Sequence, residues 1–230
     1  MNGTSSESRL MDVNYVRILI SPRATIRAIV DRDPRDKVFA LIAVAGFIGA
    51  LAAAIQFRSP QAFSIGRQAI PMIAPATTWK IRIGQVIASP ILAILFLYIN
   101  GAILRWSGSL FGGTANNVEV RAALGWSSVV SILSALILLA FTVIDPPPTP
   151  IAASDLHSAW AALAREWPRL ALAMVLALYG LIIALKCIGE VHRFSAWRAL
   201  GARAIQRLLI LGAAIVLGVT APIVAMFLFR

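Results

Sequence analysis

Residues 122–144 read AALGWSSVVSILSALILLAFTVI, a run without a single charged side chain. At about 1.5 Å of rise per helical residue, such a run reaches across a hydrocarbon core about 30 Å thick. Four further charge-free blocks accompany it, at 38–57, 83–104, 170–185 and 208–229. The block at 170–185 is short, but Arg169 and Lys186 at its edges can snorkel, and Trp167 and residues 187–189 extend it. As buried helices of a soluble protein, five such blocks would have no polar faces to turn to water. Transmembrane β-strands would alternate in polarity over about ten residues, and no block does. In lipid every backbone group must be satisfied within the protein, which leaves helices. The chain reads as an all-α integral membrane protein of five transmembrane helices, spanning about 38–57, 83–104, 122–144, 168–187 and 208–229.

Composition agrees. Apolar residues make up 59% of the 230 positions and charged residues 13%, against about 45–50% and about 25% in soluble domains. The formal charge of +11 would suggest nucleic acid in a soluble protein. Here the basic residues flank the apolar blocks, so anionic lipid headgroups are the expected partners and nucleic acid is not. Cys187 is the only cysteine, which rules out an intramolecular disulfide or a cysteine zinc cluster.

The first 36 residues are polar and basic, so the block at 38–57 is expected to act as an uncleaved signal anchor. Positive charge then sets orientation. Arg9, Arg17, Arg23, Arg27, Arg32, Arg35 and Lys37 precede the first span. Arg105 and Arg121 lie in the second connection, and Lys186, Arg193, Arg198, Arg203 and Arg207 in the fourth. These fourteen of the 21 basic residues share one side. That asymmetry predicts a cytoplasmic N-terminus and an external C-terminus, and the Arg-rich, Lys-poor usage suggests a bacterial inner membrane.

Residues 1–17 read as a flexible cytoplasmic tail, since 1–8 are small, polar and aperiodic. Ser21-Pro22 reads as an N-cap followed by proline at the first helical position. Apolar Ala24, Ile26, Ile29 and Val30 then interleave with Arg23 and Arg27, so 18–36 is expected to be a short amphipathic helix in the headgroup layer. The five-helix domain occupies 37–230. Ala45, Gly49 and Ala53 recur at four-residue spacing, as do Ala214 and Gly218. Small residues so spaced let helices approach closely, within the bundle or against a second copy. Pro222 should kink the fifth span. Pro60, Pro71 and Pro75 argue against a continuous helix over 59–79. Pro146, Pro147, Pro148 and Pro150 predict a stiff strut, followed by a short external helix over 154–167 with Trp160 and Trp167 at the interface.

No acidic residue lies well inside a span, whereas proton-coupled pumps place such groups there. Gln85 and Asn100 are the intramembrane polar candidates, and Asn100 more often bonds a neighbouring helix than a substrate. The strongest polar cluster is Glu190-Val191-His192-Arg193. Glu190 and His192 diverge by about 200° on a helix, and one His with one Glu makes a poor metal site. An ion-pairing turn capping the fourth span is the simpler reading. After it, Ser195-Ala196-Trp197 starts a basic helix with Arg203 and Arg207 four apart. Gly112-Gly113 forms a tight turn, because the lysine of a phosphate loop is absent. Glu119 and Arg121 precede the third span. No catalytic signature, metal site or cofactor site is expected.

Three segments resemble the Ypt-interacting-protein (Yip) family in its bacterial branch. Ile20-Ser21-Pro22-Arg23-Ala24-Thr25-Ile26 looks like the branch's element before the first span. Leu110-Phe111-Gly112-Gly113, with Arg121-Ala122-Ala123-Leu124-Gly125-Trp126-Ser127, is similar to the family's double-glycine turn and third-span start. Tyr179-Gly180-Leu181 through Glu190-Val191-His192-Arg193-Phe194-Ser195 resembles its fourth-span exit. The likeness runs from about Ile18 to the C-terminus. This chain lacks the proline that often follows the third-span start, and the acidic, aromatic N-terminal region of eukaryotic members. Those members are linked to Rab-type GTPases, a role that does not carry across without that region.

The resemblance implies fold and membrane residence. The basic face, the small-residue seams and the lack of a catalytic constellation favour a non-enzymatic scaffold or adaptor that meets a membrane-protein partner or forms a homo-oligomer. A small transporter, channel or lipid-handling protein is the alternative, suggested by Asn100, Gln85 and the kinked fifth span. A membrane enzyme using Glu190, His192 and Arg121 is the third.

Overall fold

The computed structural model describes residues 15–56, 62–65, 68–71, 79–144 and 156–228. Residues 15–20 are helical. The residues before 15 and the proline-rich stretch lie outside the described residues. Ile18 is fully buried, Tyr15 packs its ring 5.4 Å from that of Trp126, and the Tyr179 hydroxyl donates to the Leu19 carbonyl at 2.7 Å.

Helix α1 spans Pro22–Arg32. Proline at its first position presets φ. Ser21 stands at the N-cap, but its hydroxyl makes no capping bond. Instead, Thr25 donates both its amide and its hydroxyl to the Ser21 carbonyl, at 3.1 and 2.8 Å. The apolar face of α1 (Thr25, Ile26 and Ile29) is buried against protein.

Five long helices follow: α2 Val38–Gln56, α3 Trp79–Ser109, α4 Asn117–Ile144, α5 Leu156–Val191 and α6 Ala196–Leu228. All five are long and apolar enough to cross a membrane. The chain is a multi-pass membrane protein. A small antiparallel hairpin, β1 Ala62–Ile65 with β2 Gln68–Pro71, occupies part of the α2–α3 connection. The external helix expected over 154–167 is no separate element. It is the first part of α5, which continues through Pro168, with Arg169 paired to Glu166 at 2.7 Å across the proline. α6 likewise continues through Pro222.

Local chemistry accounts for several of these boundaries. Asn116 caps α4 by accepting the amides of Val118 and Glu119 at 2.9 Å each, and Glu119 reaches back to accept the Asn116 amide at 3.0 Å. This reciprocal capping box satisfies donors that would otherwise be orphaned. Pro90 lies inside α3 and cannot donate to the Val86 carbonyl. The Ser89 hydroxyl donates there at 2.8 Å instead, so the helix stays satisfied in lipid.

α2 packs on α3 and α4, α3 also on α4 and α6, and α5 on α4, α6 and α1. The buried core gathers at the end of the bundle that carries the α3–α4 and α5–α6 turns, around Leu104, Val120, Trp126, Ile188 and Ala199. Elsewhere the flanks stay open: Ile87, Ile91, Leu95 and Val175 are all more than half exposed. Water would not tolerate such flanks, and acyl chains would cover them. Trp106 and Trp197 are exposed near the turn end, and Trp160 and Trp167 near the other. Along α5, Trp167 to Val191 covers about 36 Å, which places the two aromatic levels at the borders of a bilayer.

Candidate functional site

The turn end is built from two helix terminations of the same kind. At the end of α3, Gly113 donates its amide to the Gly108 carbonyl and Gly112 to that of Ser109, both at 3.0 Å, with Gly112 left-handed at φ 79°. At the end of α5, Phe194 donates to Gly189 at 2.9 Å and Arg193 to Glu190 at 3.1 Å, with Arg193 left-handed at φ 58°. Each is a Schellman motif, which closes the last carbonyls of a helix through one left-handed residue. The two are joined by the Thr114 amide donating to the His192 carbonyl at 3.4 Å.

Between them sits the His192 ring, fully buried and stacked on Phe194 at 5.0 Å and 4°. Gly108 and Gly113 lie flat against that ring. A Cβ on either would fall within 3.0 Å of it, so these two positions need glycine for close approach. Neither ring nitrogen has a hydrogen-bond partner. Burial holds the His192 pKa below its ordinary value, while the Glu119 carboxylate pulls the other way.

Glu190 points elsewhere. Its carboxylate, 13% exposed, pairs with the outward-facing Arg27 of α1 and clamps that helix across α5. A surface cleft of about 770 Å³ opens beside the pair, lined by Arg23, Asp31, Thr114, Glu119 and Arg193 among others. Arg193 is exposed at its rim.

The other sequence candidates fall apart from this cluster. Arg121 stacks on Tyr98 at 4.5 Å and lines a separate crevice with Pro34 and Val38. Asn100 meets α6: the Gln206 side-chain amide donates to both its backbone and side-chain oxygens at 3.0 Å. Gly49 and Gly218 have open space where a Cβ would sit, and Ala53 and Ala214 are exposed. Ala45 lines an open groove between the spans. The tight crossing of α2 is made by Gly46, against Ala93 and the Ser89 carbonyl of α3. No cluster of metal-ligating side chains occurs among the described residues. Glu190, His192 and Arg121 thus do not converge on one reacting centre.

Sequence reasoning missed Gly108 and Gln206. Gly108 looks like an ordinary helix residue until the histidine arrives from α5. Gln206 sits amid arginines that read as a solvated approach to the last span.

Residues 16–219 match the family model described as the Yip1 domain. The chain belongs to the Yip1 family. No curated protein and no solved structure matches it. The matched stretch takes in α1 and most of the bundle, including both turns of the Yip1-family chain and the histidine between them. The Yip1 family is not a known enzyme family.

Proposed function

We propose that this Yip1-family chain is a non-enzymatic membrane adaptor whose turn end engages a membrane-protein partner or a second copy. The observation that carries this reading is Arg193. A left-handed residue at this point of a Schellman motif is ordinarily glycine, and a side chain there costs about 1 kcal/mol. The chain keeps an arginine and exposes it at the rim of the cleft. Strain retained at an exposed charge points to recognition, here of an acidic protein surface. The chemistry an enzyme would need is committed to structure: Glu190 clamps α1, and the His192 ring is sealed by glycines.

Arg193→Gly provides the test. It should raise thermal stability in mild detergent by about 2–4 °C for a chain of this size, while abolishing co-purification of the partner or the homo-oligomer. A wild-type chain that stays a clean monomer and captures nothing, or a variant that keeps its partner, would refute the reading. We place the protein in a bacterial inner membrane with the turn end cytoplasmic, on the strength of the fourteen basic residues on that side. A small transporter, channel or lipid-handling protein is the second reading. A large open groove between the spans favours it, and flux across reconstituted liposomes tests it.

A further inference from the structure

α4 and α6 face one another across the bundle with no substantial contact between them, and a cavity of about 910 Å³ fills the gap. Its two ends differ in chemistry. Toward the turn end it is lined by Asn100, Ser127, Ser131, Arg203 and Arg207; deeper, by Ala93, Leu138, Ala173 and Leu176. Counting helical rise from the turn end, Arg203 and Arg207 lie about 10–17 Å along α6, and Ala93 and Ala173 about 24–27 Å along α3 and α5. The two arginines are four residues apart on α6, so their like charges lie one helical turn from each other. Among the described residues neither has an acidic partner, and no carboxylate lines the cavity. Beside them Gln206 is buried with its side-chain oxygen unpartnered.

Two adjacent, uncompensated arginines within a span are costly in a bilayer. A bound anion removes that cost, and guanidinium groups match phosphate in geometry. α6 is about 50 Å long against a hydrocarbon core of about 30 Å, so its first turns extend to the headgroup layer. An anionic head at one end and an apolar slot at the other describe a phospholipid.

We propose that this cavity is a binding site for an anionic phospholipid, its phosphate held by Arg203 and Arg207 and one acyl chain lying in the gap between α4 and α6, against Leu138 and Ala173. The site goes beyond the adaptor role and depends on none of the residues that carry it.

The test uses the full chain in dodecyl maltoside, with bound lipid counted by native mass spectrometry. Phosphatidylglycerol should be retained in preference to phosphatidylcholine. The double variant Arg203→Gln/Arg207→Gln should lower its retention about tenfold or more, and Arg32→Gln on the outer face of α1 should not. Ala177→Leu, which narrows the apolar slot and leaves both arginines in place, should also lower it, and decides the matter if the arginine variants unfold. Equal retention of the two lipids, or undiminished phosphatidylglycerol in folded arginine variants or in Ala177→Leu, would overturn the proposal. So would inorganic phosphate at millimolar concentration displacing the lipid fully and stabilising the chain as well as the lipid does, because the site would then hold a free anion.

Discussion

The His192 ring has no hydrogen-bond partner for either nitrogen and is sealed by Gly108, Gly113 and Phe194. Its protonated form would place an unsolvated charge in that seal. The folded chain therefore holds the ring neutral to a lower pH than the unfolded chain does. As pH falls through about 6.5 the unfolded state takes up the proton first, so stability drops with pH and continues to drop until the folded-state value is reached. Thermal unfolding in detergent between pH 7.5 and 5 should show this loss, and His192→Phe should remove the part that depends on this residue. An unchanged slope in that variant would assign the effect to other groups. In the sequence, this residue is one half of a Glu-x-His pair that reads as a capping turn. The turn is there. The cradle is not legible, because its glycines come from another helix some eighty positions upstream and only tertiary packing brings them together.

Among the elements, α1 stands apart as the short helix that does not cross the membrane. Its amphipathic period is plain from Ile26 and Ile29 set against Arg23 and Arg27, but periodicity cannot say whether lipid or protein covers the apolar face. The structure answers with burial against α5 and α4, and with the Arg27–Glu190 pair as fastening. Arg27→Gln leaves a largely buried carboxylate uncompensated, at a cost between about 1 kcal/mol for an exposed pair and about 3 for a buried one. Amide exchange over 22–32 should rise in that variant and return toward wild type when Glu190→Gln is added. A double variant no better protected than Arg27→Gln alone would show that the pair does not hold the helix. The five spans were legible from charge-free length. Their ends were less so, because charged residues tolerated within helices, such as Arg121 and Arg203, look like boundaries in a linear reading.

At the scale of the whole molecule, the proposed orientation rests on charge asymmetry alone, and it predicts that an alkaline phosphatase reporter fused after Arg230 is active on the external side of the membrane. Activity of a cytosolic reporter at that position would invert the proposed orientation. Charge counting reached this prediction without any knowledge of packing, whereas the vacant region between α4 and α6 had no linear signature, since its lining comes from all five spans. The buried core is also unevenly placed. Among the described residues it binds the helices at the turn end, and apolar flanks farther along them stay exposed. Helices knotted together where their described side chains are buried, with apolar flanks exposed beyond, should adjust to a thinner or thicker surrounding sheet by tilting away from that knot, which is left undisturbed.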